Sequence, residues 1–126
     1  MDGKSSYDGG NTTGFASPAA DHLDGPIDLS DALDLRRPGR YPVRVSGDAL
    51  IGRGIRSGDI LITDAAERPF DGAVVVIMVD GDVLVAEIER RSDAWWIRGE
   101  GADAGREVPE DAEVWAVARA LVRTTI

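Results

Sequence analysis

The 126 residues include no cysteine and a single histidine, His22. Without cysteine there is no disulfide, no thiol nucleophile and no thiolate metal site, a composition that suits a reducing compartment. One histidine cannot hold a metal without converging carboxylates, so His22 reads as a solvated side chain. Positive charge is also scarce, with 14 Lys and Arg against 23 Asp and Glu, a net charge of −9. Nucleic-acid affinity comes largely from basic side chains displacing phosphate counterions. Direct DNA binding is therefore excluded as an expectation, and any link to DNA has to pass through another protein. The longest apolar run, Ala73 to Val79, is far too short to span a bilayer. The opening Met1-Asp-Gly-Lys-Ser-Ser-Tyr7 lacks the apolar stretch of a signal peptide. The expectation is a cytoplasmic protein with no membrane contact and neither cofactor nor metal. Gly52-Arg53-Gly54 lacks the Gly-Lys-Ser/Thr ending and following helix of a phosphate loop, and reads as a turn.

What is present divides in two. Residues 1–40 are rich in Gly, Ser, Thr, Asn and Asp, sparse in aliphatics, and read as a flexible arm whose first dozen residues are disordered. Within it, Ile27 to Leu35 is suited to a short helical turn capped by Asp28 or Ser30. Residues 41–126 carry short strands punctuated by turn residues: Tyr41–Val45, Asp59–Thr63, Gly72–Val79, Asp82–Glu89, Ala94–Arg98 and Glu113–Val122. Asp80-Gly81 is a two-residue hairpin signal. In the strand that follows, Val83, Val85 and Glu87 share one face, and Leu84, Ala86 and Ile88 the other. Helix is scarce. The pattern predicts one mostly β domain of about seven strands, a small sandwich or barrel.

Two segments carry a resemblance. Tyr41-Pro-Val-Arg-Val-Ser-Gly-Asp-Ala-Leu-Ile-Gly-Arg-Gly-Ile-Arg-Ser-Gly-Asp-Ile-Leu-Ile-Thr-Asp64 and Asp80-Gly-Asp-Val-Leu-Val-Ala-Glu-Ile88 resemble the UmuD and LexA group of SOS-response autoproteases. Gly14 to Leu29 looks like the UmuD arm just after its self-cleavage bond, which by resemblance falls between Thr13 and Gly14. The likeness covers roughly residues 12 to 123 and is weaker through 90 to 112. It implies the β-rich LexA/UmuD C-terminal fold. The expectation is that no DNA-reading domain of the LexA type accompanies it, and that the match is to UmuD.

The chemistry implied by the resemblance is missing. The family motif is Ser-Gly-Asp-Ser-Met, its second Ser the nucleophile; here Ser46-Gly47-Asp48-Ala49-Leu50 places Ala49 there. The family's general-base Lys is replaced by Ala86. A neutral Lys has to be buried enough to lose its proton, and alanine supplies neither nucleophile nor base. Loss of a hydrolase nucleophile typically costs on the order of a millionfold in rate, roughly 8 kcal/mol of barrier. Thr13 also departs from the Ala or Cys that usually precedes the scissile bond. Natural decay would let all three positions drift; an inactivated form of an active Ser/Lys peptidase is the alternative. A new pair formed by Ser46 and Asp48 competes with simple turn chemistry, in which Asp48 bonds backbone amides.

By resemblance, the chain is a non-catalytic accessory subunit of an error-prone, UmuC-type Y-family DNA polymerase. It acts as a homodimer, with the RecA filament as a further partner. A decoy that dimerises with an active homologue is a further reading. The final strand reads as alternating, with Val114, Ala116, Ala118 and Ala120 on one face as candidate dimer surface, against core packing. Trp95 and Trp96 must point to opposite faces of a strand. One is expected to pack inside and the other to lie under the arm or face a partner.

Overall fold

The computed structural model describes residues 23–98 and 105–126. Thr13, Gly14, His22 and most of the arm lie outside the described residues. One turn of helix, α1 (Leu29–Ala32), is followed by seven strands: β1 (Arg40–Arg44), β2 (Ile60–Asp64), β3 (Val74–Val79), β4 (Asp82–Arg91), β5 (Ala94–Arg98), β6 (Arg106–Glu107) and β7 (Glu113–Val122). They form one sheet in the order β1-β2-β7-β3-β4-β5-β6, and every pairing is antiparallel. The mostly β architecture agrees with the sequence reading. No helix among the described residues is long and apolar enough to cross a membrane.

The apolar run of β3 explains its place at the centre. A strand buried on both faces cannot alternate, and Val74, Val75, Val76, Ile77 and Val79 are all buried. Beneath one face lies a cluster of Ala73, Val75, Ile77, Val79, Ala86, Ile88, Ile97 and Val117. The other face carries Val45, Leu50, Ile55, Leu61 and Val74, with Val43, Val85 and Ala118 packed against them. That second face is covered mainly by the long loop between β1 and β2. Pro42, which has no N–H to donate, sits in the edge strand β1.

The β3–β4 hairpin closes through Asp80 and Gly81, both at positive φ (53° and 84°), the combination a two-residue turn of matching twist requires. α1 is capped by Asp28, whose Oδ1 accepts the Ser30 N–H at 2.9 Å. Several boundaries differ from the sequence reading. Val45 leaves β1 because its carbonyl accepts from the Gly58 N–H while the Asp59 N–H turns to the Arg56 carbonyl, so the reciprocal ladder bond is not made. Asp59 precedes β2, which runs on to Asp64. Gly72, at φ 86°, belongs to the turn before β3. β4 continues to Arg91 to pair with β5.

Two departures are topological. The short β6 pairs with β5 through Trp96↔Glu107 and Ile97↔Arg106 and has no counterpart among the strands read from sequence. In β7 the expected alternation is broken twice. Val76 and Ile77 pair with Ala116 and Val114, leaving Trp115 extra; Ile62 and Thr63 pair with Ala120 and Ala118, leaving Arg119 extra. Each bulge moves the following side chains to the other face. Ala116 and Ala118 therefore share the loop-covered face, while Val114 and Ala120 stand on the opposite one. The stripe of four small residues does not form. Ala116 is fully buried, and β7 is hydrogen-bonded on both edges.

A cleft beside Ala49

The loop over 45–58 is closed at its neck by two backbone bonds, Val45 N–H to the Asp59 carbonyl and Gly58 N–H to the Val45 carbonyl, both 2.8 Å. Leu50 and Ile55 plug it into the sheet and are almost completely buried. Between them runs one 3-10 turn, Ile51–Arg53. In the bend the Asp48 carbonyl accepts the Ile51 N–H, whereas the turn reading had assigned bonding to its carboxylate. The Gly47 N–H donates to Ser57 Oγ at 3.0 Å.

Ionic contacts hold the loop at both sides. Arg53 Nη1 donates to the Gly72 carbonyl at 2.8 Å and lies 3.1 Å from a Glu87 carboxylate oxygen on β4. On the other side Arg123 grips Asp59 with two bonds, Nε to Oδ1 at 2.8 Å and Nη2 to Oδ2 at 2.7 Å. With the Arg56 N–H also donating at 2.8 Å, these bonds hold the Asp59 carboxyl at about 2, below its ordinary 3.8. Asp64, at the far end of β2, accepts the Ala66 N–H at 2.8 Å and Arg40 Nε at 3.1 Å, which lower its carboxyl as well. Arg40 also donates to the Leu33 carbonyl at 3.0 Å, tying the helical turn to β2. The sequence reading singled out neither aspartate. The available signal was a carboxylate at each end of the apolar stretch Ile60-Leu-Ile, where a charge survives burial only when paired.

Against the loop stands the β3–β4 hairpin, and between the two lies a cleft of about 290 Å³ lined by Arg44, Val45, Ser46, Ala49, Leu50, Val83, Leu84 and Val85. The structure thus brings Ser46, Ala49 and Leu50 together. Gly47 and Asp48 lie in the same bend and are exposed. Ala86 is not in the cleft wall. It follows the lining residues Val83, Leu84 and Val85 on β4 and is itself absent from the lining. Val85 joins the cluster under the loop, whereas Ala86 packs with Val75, Ile77 and Ile88 in the other cluster at 1% exposure. Arg44 is the only ionisable residue in the lining, and its Nη1 donates to the Gly58 carbonyl at 2.9 Å. No side chain in the wall offers Ser46 a general base. Among the described residues no group of three His, Cys, Asp or Glu is arranged to hold a metal ion.

Of the tryptophans, Trp95 packs against the buried cluster with Arg90 over its ring at 5.1 Å. Trp96, on the opposite face, lies under Arg91 at 4.4 Å.

The antiparallel β sheet with little helix agrees with the β-rich C-terminal domain of the LexA/UmuD family. The chain belongs to that group: the Peptidase S24-like family model matches residues 7–119. Protein SamA of Salmonella typhimurium is 39% identical over 77 residues, 60% of this chain and 54% of SamA. Protein ImpA of Escherichia coli is 33% identical over 75 residues, covering 60% and 52%. The LexA repressor of Shewanella sediminis is 31% identical over 85 residues, covering 68% and 41%. The chain spans about half the length of SamA and ImpA.

Proposed function

We propose that this chain is a non-catalytic, UmuD-like accessory subunit in SOS mutagenesis. It acts in the cytoplasm as a homodimer that holds an error-prone Y-family polymerase of the UmuC type, with the RecA filament as a further partner. The observation that carries this reading is the combination of a preserved cleft with a wall that contains no nucleophile–base pair. Ala49 occupies the nucleophile position, and the ionisable group present is an arginine, which stays protonated. A scaffold kept without its chemistry works by what it touches. The acidic balance of the chain supports an indirect route to DNA. Of the apolar residues on β7, Val114 and Trp115 at one end and Leu121 at the other remain exposed, Val114 and Leu121 on opposite faces of the sheet, and either end is available to a second copy.

The test is a pull-down of a UmuC-type polymerase with the purified chain. Retention at micromolar concentration supports the reading, and absence of binding overturns it.

A second reading, an inactivated Ser/Lys autopeptidase whose natural form cuts after Thr13, draws on the same cleft. The apolar surroundings of position 86 are the kind that keep a lysine neutral. Restoring Ser at 49 and Lys at 86 together separates the two. A third reading, a decoy that dimerises with an active homologue, fails if a mixture of the two cleaves at the undiminished rate.

A further inference from the structure

We propose that Arg123, the residue immediately after β7, is a latch that positions the loop presenting Ala49 to the cleft. Its guanidinium spans two elements far apart in sequence. The two bonds to Asp59 fix the neck of the loop, and a third, from Nη2 to the Gly54 carbonyl at 2.8 Å, fixes the end of the 3-10 turn. Gly54 itself donates to the Ile51 carbonyl, and Ile51 N–H to that of Asp48, so the third bond reaches the bend that holds Ala49 through two backbone links. Asp59 is nearly inaccessible to water, and its remaining contact, the Arg56 N–H, also lies in the loop. The fork geometry matters. A guanidinium satisfies both carboxylate oxygens and the carbonyl at once, which a lysine ammonium on its flexible stem does not. The end of β7 thereby sets the shape of the cleft, and a ligand that draws Arg123 away loosens the opposite wall. The latch acts on the cleft whichever partner the domain holds.

The absence of cysteine provides the assay, because Ala49→Cys introduces the sole thiol of the chain. A nitroxide attached there reports loop motion, and the rate of the free thiol with an aromatic disulfide reports access. Adding Arg123→Ala is expected to sharpen the nitroxide spectrum and raise the thiol rate several-fold; Arg123→Lys is expected to restore part of the difference. A label introduced by Asp93→Cys, in the turn between β4 and β5, is expected to stay unchanged. The proposal is overturned if the label at position 49 does not respond to Arg123→Ala, or if the labels at 49 and 93 loosen equally. Where Arg123→Ala fails to fold, Arg123→Lys decides alone: greater mobility at position 49 supports the latch, and an unchanged spectrum sinks it.

Discussion

Ala86 is 1% exposed among Val75, Ile77, Ile88, Ile97 and Val117, so replacing it with lysine tests where position 86 points. Two penalties follow. The extra methylenes overpack the cluster, at about 1–3 kcal/mol independent of pH. The ammonium must also be desolvated or neutralised, since burial lowers a lysine pKa from about 10.4 by up to 3–5 units. With a folded-state pKa near 6–7, the unfolded chain binds the extra proton at neutral pH, so stability rises with pH. The electrostatic penalty is about 4 kcal/mol at pH 7 and falls to about 1 kcal/mol at pH 10. Against a typical total of 5–15 kcal/mol, Ala86→Lys is expected to be marginal at pH 7 and to recover about 3 kcal/mol by pH 10, relative to the unsubstituted chain. Ala86→Met carries the packing term without the charge and has no such recovery. Urea unfolding followed by tryptophan fluorescence at the two pH values gives both numbers. Equal, pH-independent losses for Lys and Met would refute the placement, because they would mean that the ammonium escapes to water or into the cleft.

The double variant Ala49→Ser with Ala86→Lys is expected to show no cut after Thr13 by mass spectrometry, because Ala86 packs with Val75, Ile77 and Ile88 and is absent from the lining of the cleft that Ala49 borders; a fragment beginning at Gly14 would show that the two positions converge. Asp59, with its carboxyl held at about 2 against 3.8, contributes stability that is complete above about pH 4 and lost as pH falls toward 2. Asp59→Asn is accordingly expected to lower the urea midpoint at neutral pH and to flatten its decline between pH 4 and 2. At Gly105 a methyl would stand 2.5 Å from the Ile97 carbonyl oxygen, at φ +89°. Gly105→Ala is expected to destabilise by at least about 1–2 kcal/mol, read as a lower thermal midpoint.

The parts of the fold that were legible in the sequence are those decided locally. Asp80-Gly81 announced its hairpin because two consecutive positive φ values are tolerated by few residue pairs. β3 was visible as an apolar run because both its faces are buried. The bulges at Trp115 and Arg119 were not legible, since they arise from the pairing registers with β2 and β3 and leave no mark on an alternation that looks regular. β6 is two residues long and is a strand only because β5 lies beside it. The site divides the same way. Position 49 is singled out by its motif alone, but the residues that hold its loop, Asp59 and Arg123, are 64 apart in sequence, and their pairing exists only in the folded sheet.

That division bears on how the chemistry could be lost without the fold. The loop is held by its neck bonds, by Leu50 and Ile55, and by the pairs Arg53–Glu87 and Asp59–Arg123. None of these contacts uses the side chain at position 49, and none uses the one at 86. On the proposed reading, an alanine at 49 leaves every one of these holding contacts in place, so the loop keeps its shape. At 86 the smallest apolar side chain lies in an apolar cluster, where a lysine would carry a desolvation penalty. On the proposed reading, a change from Ser to Ala at 49 would leave stability nearly unaltered, and one from Lys to Ala at 86 would raise it. If the proposed loss of cleavage holds, nothing in the packing opposes either change, and the cleft persists because Leu50, Ile55 and the arginine pairs hold it open.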